Sequence, residues 1–365
     1  MPITSDGIKT QKFGVEIEMT GLTRARAAKV VASYFGTTAE HLGGSYDKYN
    51  VRDGTGRNWT IVSDASIRCT RKDGTSAGKI YSVEFVTPVC TYDDMETIQQ
   101  LVRDLRSAGG VCNDSTGIHI HINAEPFNAH TLRNLVNIVA SKEEMIYHAL
   151  QVKYGRQGYC KKVDRDFLER INRKKPETMQ QLKDLWYDGR DGSRIHYHNS
   201  RYHLLNLHSV FSKGTVEIRA FNSTLHAGVL RSYIVFCLAM SNQAMQQKSA
   251  QCKETRSTNE KYTFRTWFLR LGLIGDEFKN CRSHLLSHLD GNIAWKDPND
   301  AIAQRERIKQ QRIEEHQHSL PPEQACSDVS DCCNEVETVQ AENNEATECS
   351  YAASFEDDEC MDLSM

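Results

Sequence analysis

Polar and apolar residues alternate with period two in several short runs, and helical spacings fill the gaps between them. The run Lys12–Met19 places Val15 and Ile17 against Glu16 and Glu18, which predicts a strand. The same reading predicts strands at Trp59–Asp64, at Ile80–Val86 (halted by Pro88), at Gly117–Asn123, within Ser200–Ser209 and at Thr215–Phe221. Helical spacing predicts Thr23–Phe35, with Thr23 as N-cap, and Tyr92–Ala108, stopped by Gly109 and Gly110. Further helices are expected at Thr131–Val152, Leu230–Gln247, Tyr262–Leu271 and Asp276–Leu289. The basic, glycine-broken stretch Gly155–Arg194 predicts one or two helices and loops. Strands and helices interleave irregularly, and the strands keep one polar set of positions. The expected class is therefore α+β, built on an antiparallel sheet with one polar face.

Composition narrows the picture. The chain has 365 residues, 39% hydrophobic and 25% charged, which is ordinary for a globular protein. No run reaches 18 apolar residues and the first ten residues hold no apolar signal core, so the expectation is a cytoplasmic protein with no membrane partner. The net charge of −3 conceals an asymmetry: residues 313–365 hold 15 Asp/Glu and no Lys or Arg. The other residues carry 45 basic and 33 acidic side chains, a net of +12. That balance invites a nucleic-acid partner, but no finger, RNP or basic-helix motif supports one. Five of the 12 cysteines lie in the acidic segment and no CxxC pair occurs, so reduced thiols are expected rather than a zinc site. The division expected is one domain over residues 10–295, its last part (251–295) helical. A helical linker and a disordered acidic tail follow over residues 296–365.

The chemistry lies in the polar positions of the strands. Because strand side chains alternate, Glu16 and Glu18 share one face, as do His119 and His121, and Glu217 and Arg219; Glu84 adds a fourth carboxylate. Each pattern alone also fits a charged strand edge, a structural histidine pair or an intrastrand ion pair. Together they describe a sheet lined with carboxylate, imidazole and guanidinium groups. Carboxylates with an occasional histidine suit Mg²⁺ or Mn²⁺ better than Zn²⁺, and such sites usually hold nucleotide phosphates as well. Arg201 and Arg219 are natural phosphate partners. The sequence has no Walker A and no GxGxxG motif, so bound ATP would lie on the sheet.

Six segments carry a resemblance: FGVEIEM (Phe13–Met19), WTIVSDASI (Trp59–Ile67), VEFVTPV (Val83–Val89), STGIHIHIN (Ser115–Asn123), RYHLLNL (Arg201–Leu207) and TVEIRAFNST (Thr215–Thr224). In this order they resemble the amidoligase family of the carboxylate–amine ligase superfamily, related in fold to glutamine synthetase and glutamate–cysteine ligase. The motifs span residues 12–244. The resemblance implies a curved antiparallel sheet with helices packed on one side, and an ATP-dependent ligase that joins a carboxylate to an amine through an acyl phosphate. It implies Glu16, Glu18, Glu84, His119 and Glu217 as metal ligands. His119, Arg201, Arg219 and Asn206 are implied at the nucleotide, with Glu84, Arg201 and Arg219 acting in catalysis. Asp64 matches a family position and is assigned to substrate, together with His121, which reads equally as a packed structural histidine. Substrates could be amino acids, peptides, polyamines or protein side chains. Two alternatives stay open: a metal-dependent amide hydrolase, and a non-catalytic nucleic-acid- or protein-binding module.

Overall fold

A computed structural model describes residues 6–319. In chain order the elements are α1 (Asp6–Lys9), β1 (Phe13–Met19), α2 (Arg24–Phe35), β2 (Ala39–Gly43), β3 (Lys48–Arg52), β4 (Asn58–Val62), β5 (Val83–Val86) and α3 (Met95–Ser107). There follow β6 (Gly117–Asn123), α4 (Ala129–Leu150), α5 (Arg165–Lys174), α6 (Met179–Trp186), β7 (Leu205–Asn206), α7 (His208–Lys213) and β8 (Thr215–Asn222). The last are α8 (Ala227–Gln246), α9 (Glu260–Arg270), α10 (Lys279–Leu286) and α11 (Pro298–Ser319). All eight strands join one open sheet in the order β2-β3-β4-β5-β1-β6-β8-β7, and every ladder is antiparallel. The class is α+β, as the alternation predicts.

Local signals set the helix ends. Thr23 caps α2 by accepting from the Arg26 N–H, and Gly36 closes it in the left-handed region at φ 64°. Asn128 and Thr131 cap the start of α4 reciprocally. One face of the sheet is apolar. Ile17 faces Phe85 and Ile118 across its two ladders, Val15 faces Ile120, and Ile120 faces Ile218. All are buried in a single hydrophobic core with α2, α3, α4 and α8. β8 carries one extra residue between Ile218 and Phe221, a bulge opposite His119. The bulge returns Phe221 to the helix side, where it stacks on Tyr233 of α8 at 4.5 Å between ring centroids.

Several expectations are corrected. Lys79–Tyr81 form a 3₁₀ turn, so β5 starts at Val83, and Ile80 is exposed. Only Leu205–Asn206 of the expected Ser200–Ser209 strand join the ladder. The residues before them form a 3₁₀ turn (Asn199–Arg201), and those after begin α7. The β2–β3 hairpin was not anticipated: its edge strand is largely exposed and lacks an apolar period. The chain divides into units 1–293 and 294–365. Residues 313–319, expected to be disordered, continue α11, whose Gln, Arg, Lys and Glu residues are good helix formers. The rest of the acidic tail lies outside the described residues. The seven cysteines among the described residues are unpaired, and no described helix is long and apolar enough to cross a membrane.

Candidate active site

The second face of the central strands gathers the polar residues. Strand register alone sets Glu18 directly opposite Glu84, Glu16 opposite His119, and Glu217 between His121 and Asn206. Like charges paired directly across a ladder repel, and Glu18 is buried. Asp64 joins them from the end of β4. Its backbone N–H and carbonyl both bind the Ser82 hydroxyl, at 2.9 and 2.6 Å, and its Oδ1 accepts the Ser66 N–H at 2.6 Å. Glu18, Asp64 and Glu84 thereby offer three carboxylate oxygens within 4.8 Å of one another. Burial, with Asp64 beside it, pushes the Glu18 carboxyl up to about 7, against the pull of Arg156. Burial also drives Glu84 well above the usual carboxylate range, and Glu16, Glu18 and Asp64 push the same way. Three clustered carboxylates, opposed by Arg156 at 4.0 Å from Glu18, are an arrangement that a divalent metal relieves.

The neighbouring groups are better balanced. His119 Nδ1 lies 3.0 Å from Glu16 Oε2, and its Nε2 lies 3.9 Å from Glu18 Oε1. Burial and then Arg219 press His119 down to about 4, leaving a neutral imidazole suited to metal ligation. Burial opposes charge on His121 too, but Glu16 and Glu217 raise it. Its Nδ1 meets the Thr215 hydroxyl at 2.9 Å, while its buried Nε2 lies 3.2 Å from Glu16 Oε1 without forming a hydrogen bond. Burial alone would raise Glu16, yet His121 and His119 hold it well below the ordinary value. Glu217 is likewise burdened by burial and is held at about 2, chiefly by Arg219. Arg219 Nη1 donates to Glu217 Oε1, and Asn206 Nδ2 donates to Glu217 Oε2 at 2.8 Å. Asn206 Oδ1 is buried with no partner. Two further sets of ligand atoms, Glu16/Glu84/His119 and Glu16/His121/Glu217, also lie within 4.8 Å of one another.

The oxygen-rich trio, the two mixed sets and the orphaned Asn206 oxygen fit Mg²⁺ or Mn²⁺. Asp64, expected at the substrate from the sequence, lies beside Glu18 and Glu84, with a carboxylate oxygen within 4.8 Å of one on each. His121 lies beside Glu16 and Glu217, and its Nδ1 is tied to Thr215, a contact that a packed structural histidine would also make. Arg201 stands apart. Its Nη1 donates to the His196 carbonyl at 3.0 Å, and its guanidinium lies over the Tyr197 and Tyr202 rings at 5.6 and 5.7 Å. It reaches the site as part of the wall of a cavity of about 610 Å³ shared with Arg194, Asn206, His208, Lys213 and Glu217. A second cavity of about 520 Å³ opens beside Glu16 and His121, walled by Phe13, Val15, Val89 and again Lys213.

Sequence reasoning missed Lys213 and Arg156 as site residues. Lys213 ends α7, and Gly214 in the left-handed region (φ 72°) turns the chain into β8, leaving Lys213 Nζ 3.5 Å from Glu16 Oε1. Arg156 is buried, with Nη1 4.0 Å from Glu18 Oε2. In the sequence it is one of many cations in a basic loop. The family profile described as "Putative amidoligase enzyme" matches residues 9–241. No curated protein matches the chain. The match covers more than half of the sequence, and the chain belongs to this amidoligase family.

Proposed function

We propose that the protein is an ATP-dependent carboxylate–amine ligase whose catalytic unit spans residues 10–295, on a curved, glutamine synthetase-like sheet. The family description supports an enzyme of the ligase type. The observation that carries the finer reading is the facing pair Glu18 and Glu84 with Asp64, a cluster that needs a divalent cation to be stable when ionised. Glu16, Glu18, Asp64, Glu84, His119 and Glu217 would hold Mg²⁺ or Mn²⁺, which supplies charge neutralisation to phosphate oxygens when bound.

In this reading a substrate carboxylate attacks the γ-phosphorus of ATP, and the bond to the ADP oxygen breaks. The amine then attacks the acyl carbon, phosphate leaves, and the nitrogen gives up a proton. Arg219, anchored on Glu217, and Arg201, in the cavity wall, neutralise phosphoryl charge, and Asn206 contacts the nucleotide beside them. Glu84, which faces Glu18 across the ladder, is assigned to receive the amine proton. Such phosphoryl transfer asks for positioning and charge rather than a protein nucleophile, in keeping with the residues present.

The test supplies pooled carboxylic acids and amines with Mg·ATP, and follows ADP release and product mass. ADP release that requires both an acid and an amine supports the ligase. Amide cleavage without nucleotide points to a metal-dependent hydrolase. Nucleic-acid binding with a steep salt slope, with no thermal stabilisation by Mg·ATP, points to a binding module.

A further inference from the structure

Arg156 lies outside the strands that build the cluster. It closes a 3₁₀ turn, Tyr154–Arg156, shortly after α4. Neighbouring cations in the same basic stretch are occupied elsewhere: Lys162 with Glu144, Arg165 with Glu143 and Arg173 with Glu169. Arg156 differs from them in being 5% exposed. It also differs from Arg57, whose guanidinium is well satisfied. Arg57 holds both oxygens of Asp94 through Nη1 and Nη2, each at 2.9 Å, and binds Asp53 through Nε at 2.9 Å.

Among the described residues the Arg156 side chain makes a single hydrogen bond, from Nη2 to the Arg219 carbonyl at 3.1 Å. Its Nε is buried with no partner. Its ion-pair neighbour, Glu18 Oε2, is 4.0 Å from Nη1 and already accepts the Gly117 N–H at 2.7 Å. The guanidinium rests on Gly117, where a Cβ would lie 1.8 Å from Nη1 and 2.2 Å from Cζ. Glycine is required here for room. A buried guanidinium with donors left over is costly unless an anion completes it, and its fork geometry matches phosphate oxygens.

We propose that Arg156 binds an anionic oxygen of the transferred phosphoryl group, seated on the Glu18 side of the carboxylate cluster, and that Gly117 is bare so that the guanidinium can lie there. This rests on the ligase reading for the phosphoryl group, and not on which acid or amine is joined.

The test uses the full chain and needs no turnover. Mn²⁺ affinity is measured by calorimetry. Binding of inorganic phosphate, and separately of ADP, is then read from the ³¹P relaxation caused by bound Mn²⁺. In the wild type, phosphate relaxation should saturate. Arg156→Gln should keep Mn²⁺ affinity or tighten it, since a cation near Glu18 is removed, and should weaken phosphate about tenfold or more. Gly117→Ala, which retains Arg156 but displaces it, should behave like Arg156→Gln, and Arg156→Lys should fall between. Wild-type phosphate affinity in Arg156→Gln overturns the proposal, as does a wild type that binds Mn²⁺ but no phosphate. Loss of ADP binding with phosphate unaffected also overturns it, because Arg156 would then serve the diphosphate. Should the Gln variant fail to fold, undiminished phosphate binding in Arg156→Lys and Gly117→Ala overturns it instead. Phosphate held through Arg156 by a protein that consumes no ATP with any acid and amine would overturn the ligase reading, and with it the assignment to a transferred phosphoryl group, and leave only the anion contact of Arg156 standing.

Discussion

The two faces of the four central strands differ by one residue step and obey opposite rules. Ile17 lies between Glu16 and Glu18, Ile120 between His119 and His121, and Ile218 between Glu217 and Arg219. On the helix side, each apolar residue meets others of its kind, and burial on both partners is favourable. On the other side, the residues are nearly as buried but only partly balanced: Glu217 has Arg219 and Asn206, whereas Glu18 faces Glu84. The contrast teaches where stability and chemistry reside. The apolar face holds the sheet together, and the polar face stores repulsion that a cationic ligand can discharge.

The strongest way to break this comparison is to remove a charge from the repulsive side. Glu18→Gln or Glu84→Gln should lower Mn²⁺ affinity about a hundredfold or more, since metal ligation needs the ionised carboxylate. The melting temperature in chelator should hold steady or rise, because a buried like-charge pair is relieved. Calorimetric titration and thermal melts check both halves; an unchanged Mn²⁺ isotherm would remove these residues from the metal site. The mirror experiment acts on the other face. Ile120→Ala should cost about 2–5 kcal/mol of unfolding free energy in denaturant titrations, as expected for a fully buried aliphatic side chain. Its folded fraction should still bind Mn²⁺.

A third experiment sharpens the comparison through pH. Glu84 is held well above its ordinary value by burial and its acidic neighbours, so its contribution is present below the unfolded value and is lost as pH rises through the folded one. Glu18, raised to about 7, acts in the same direction. His119, lowered to about 4, acts oppositely below its unfolded value near 6.5 and largely offsets Glu18 there. In chelator, stability should therefore fall as pH rises through about 7, with His121, raised against burial by Glu16 and Glu217, acting the same way and Glu84 adding up to about 1.4 kcal/mol per pH unit. Glu84→Gln should flatten that slope, and saturating Mn²⁺ should reverse it by favouring the ionised carboxylates. A chelated wild type that gains stability over this window would contradict the charge balance described for the polar face.

The apolar face was the more legible of the two. β1, β6 and β8 follow from alternation to within a residue or so, because the core demands an apolar side chain at every second position. The same alternation put Glu16, Glu18, His119, His121, Glu217 and Arg219 on one side. What it could not supply were partners brought in by loops. Asp64 reaches Glu18 and Glu84 only because Ser82 pins the end of β4 to the start of β5. Arg156 reaches Glu18 through a notch at Gly117, a contact between residues with no shared period. Short apolar runs misled in the other direction. The run Leu204–Leu207 resembles a strand but supplies two ladder residues, Leu205 and Asn206, before Leu207 leads into α7, since such runs fit either period.

The smallest expected effect concerns Lys213, where the polar face meets solvent. Its ammonium lies 3.5 Å from Glu16 Oε1, but the side chain is 49% exposed, and Glu16 already has His119 and His121. An exposed cation in this setting contributes between about 0 and 1 kcal/mol to stability, so Lys213→Ala should leave the denaturation midpoint almost unchanged. Its effect on binding has a definite sign. Removing a positive charge beside Glu16 should tighten Mn²⁺ a few-fold at low ionic strength, and the gain should shrink as salt approaches physiological strength, where screening acts over about 8 Å. Anionic ligands should weaken in parallel, because Lys213 lines both cavities that open on the cluster. Calorimetry of Mn²⁺ and inorganic phosphate at two salt concentrations separates these effects. If Mn²⁺ weakened instead, Lys213 would be acting by positioning Glu16 rather than by competing with the metal, and the contrast between the two faces would extend to the rim of the site.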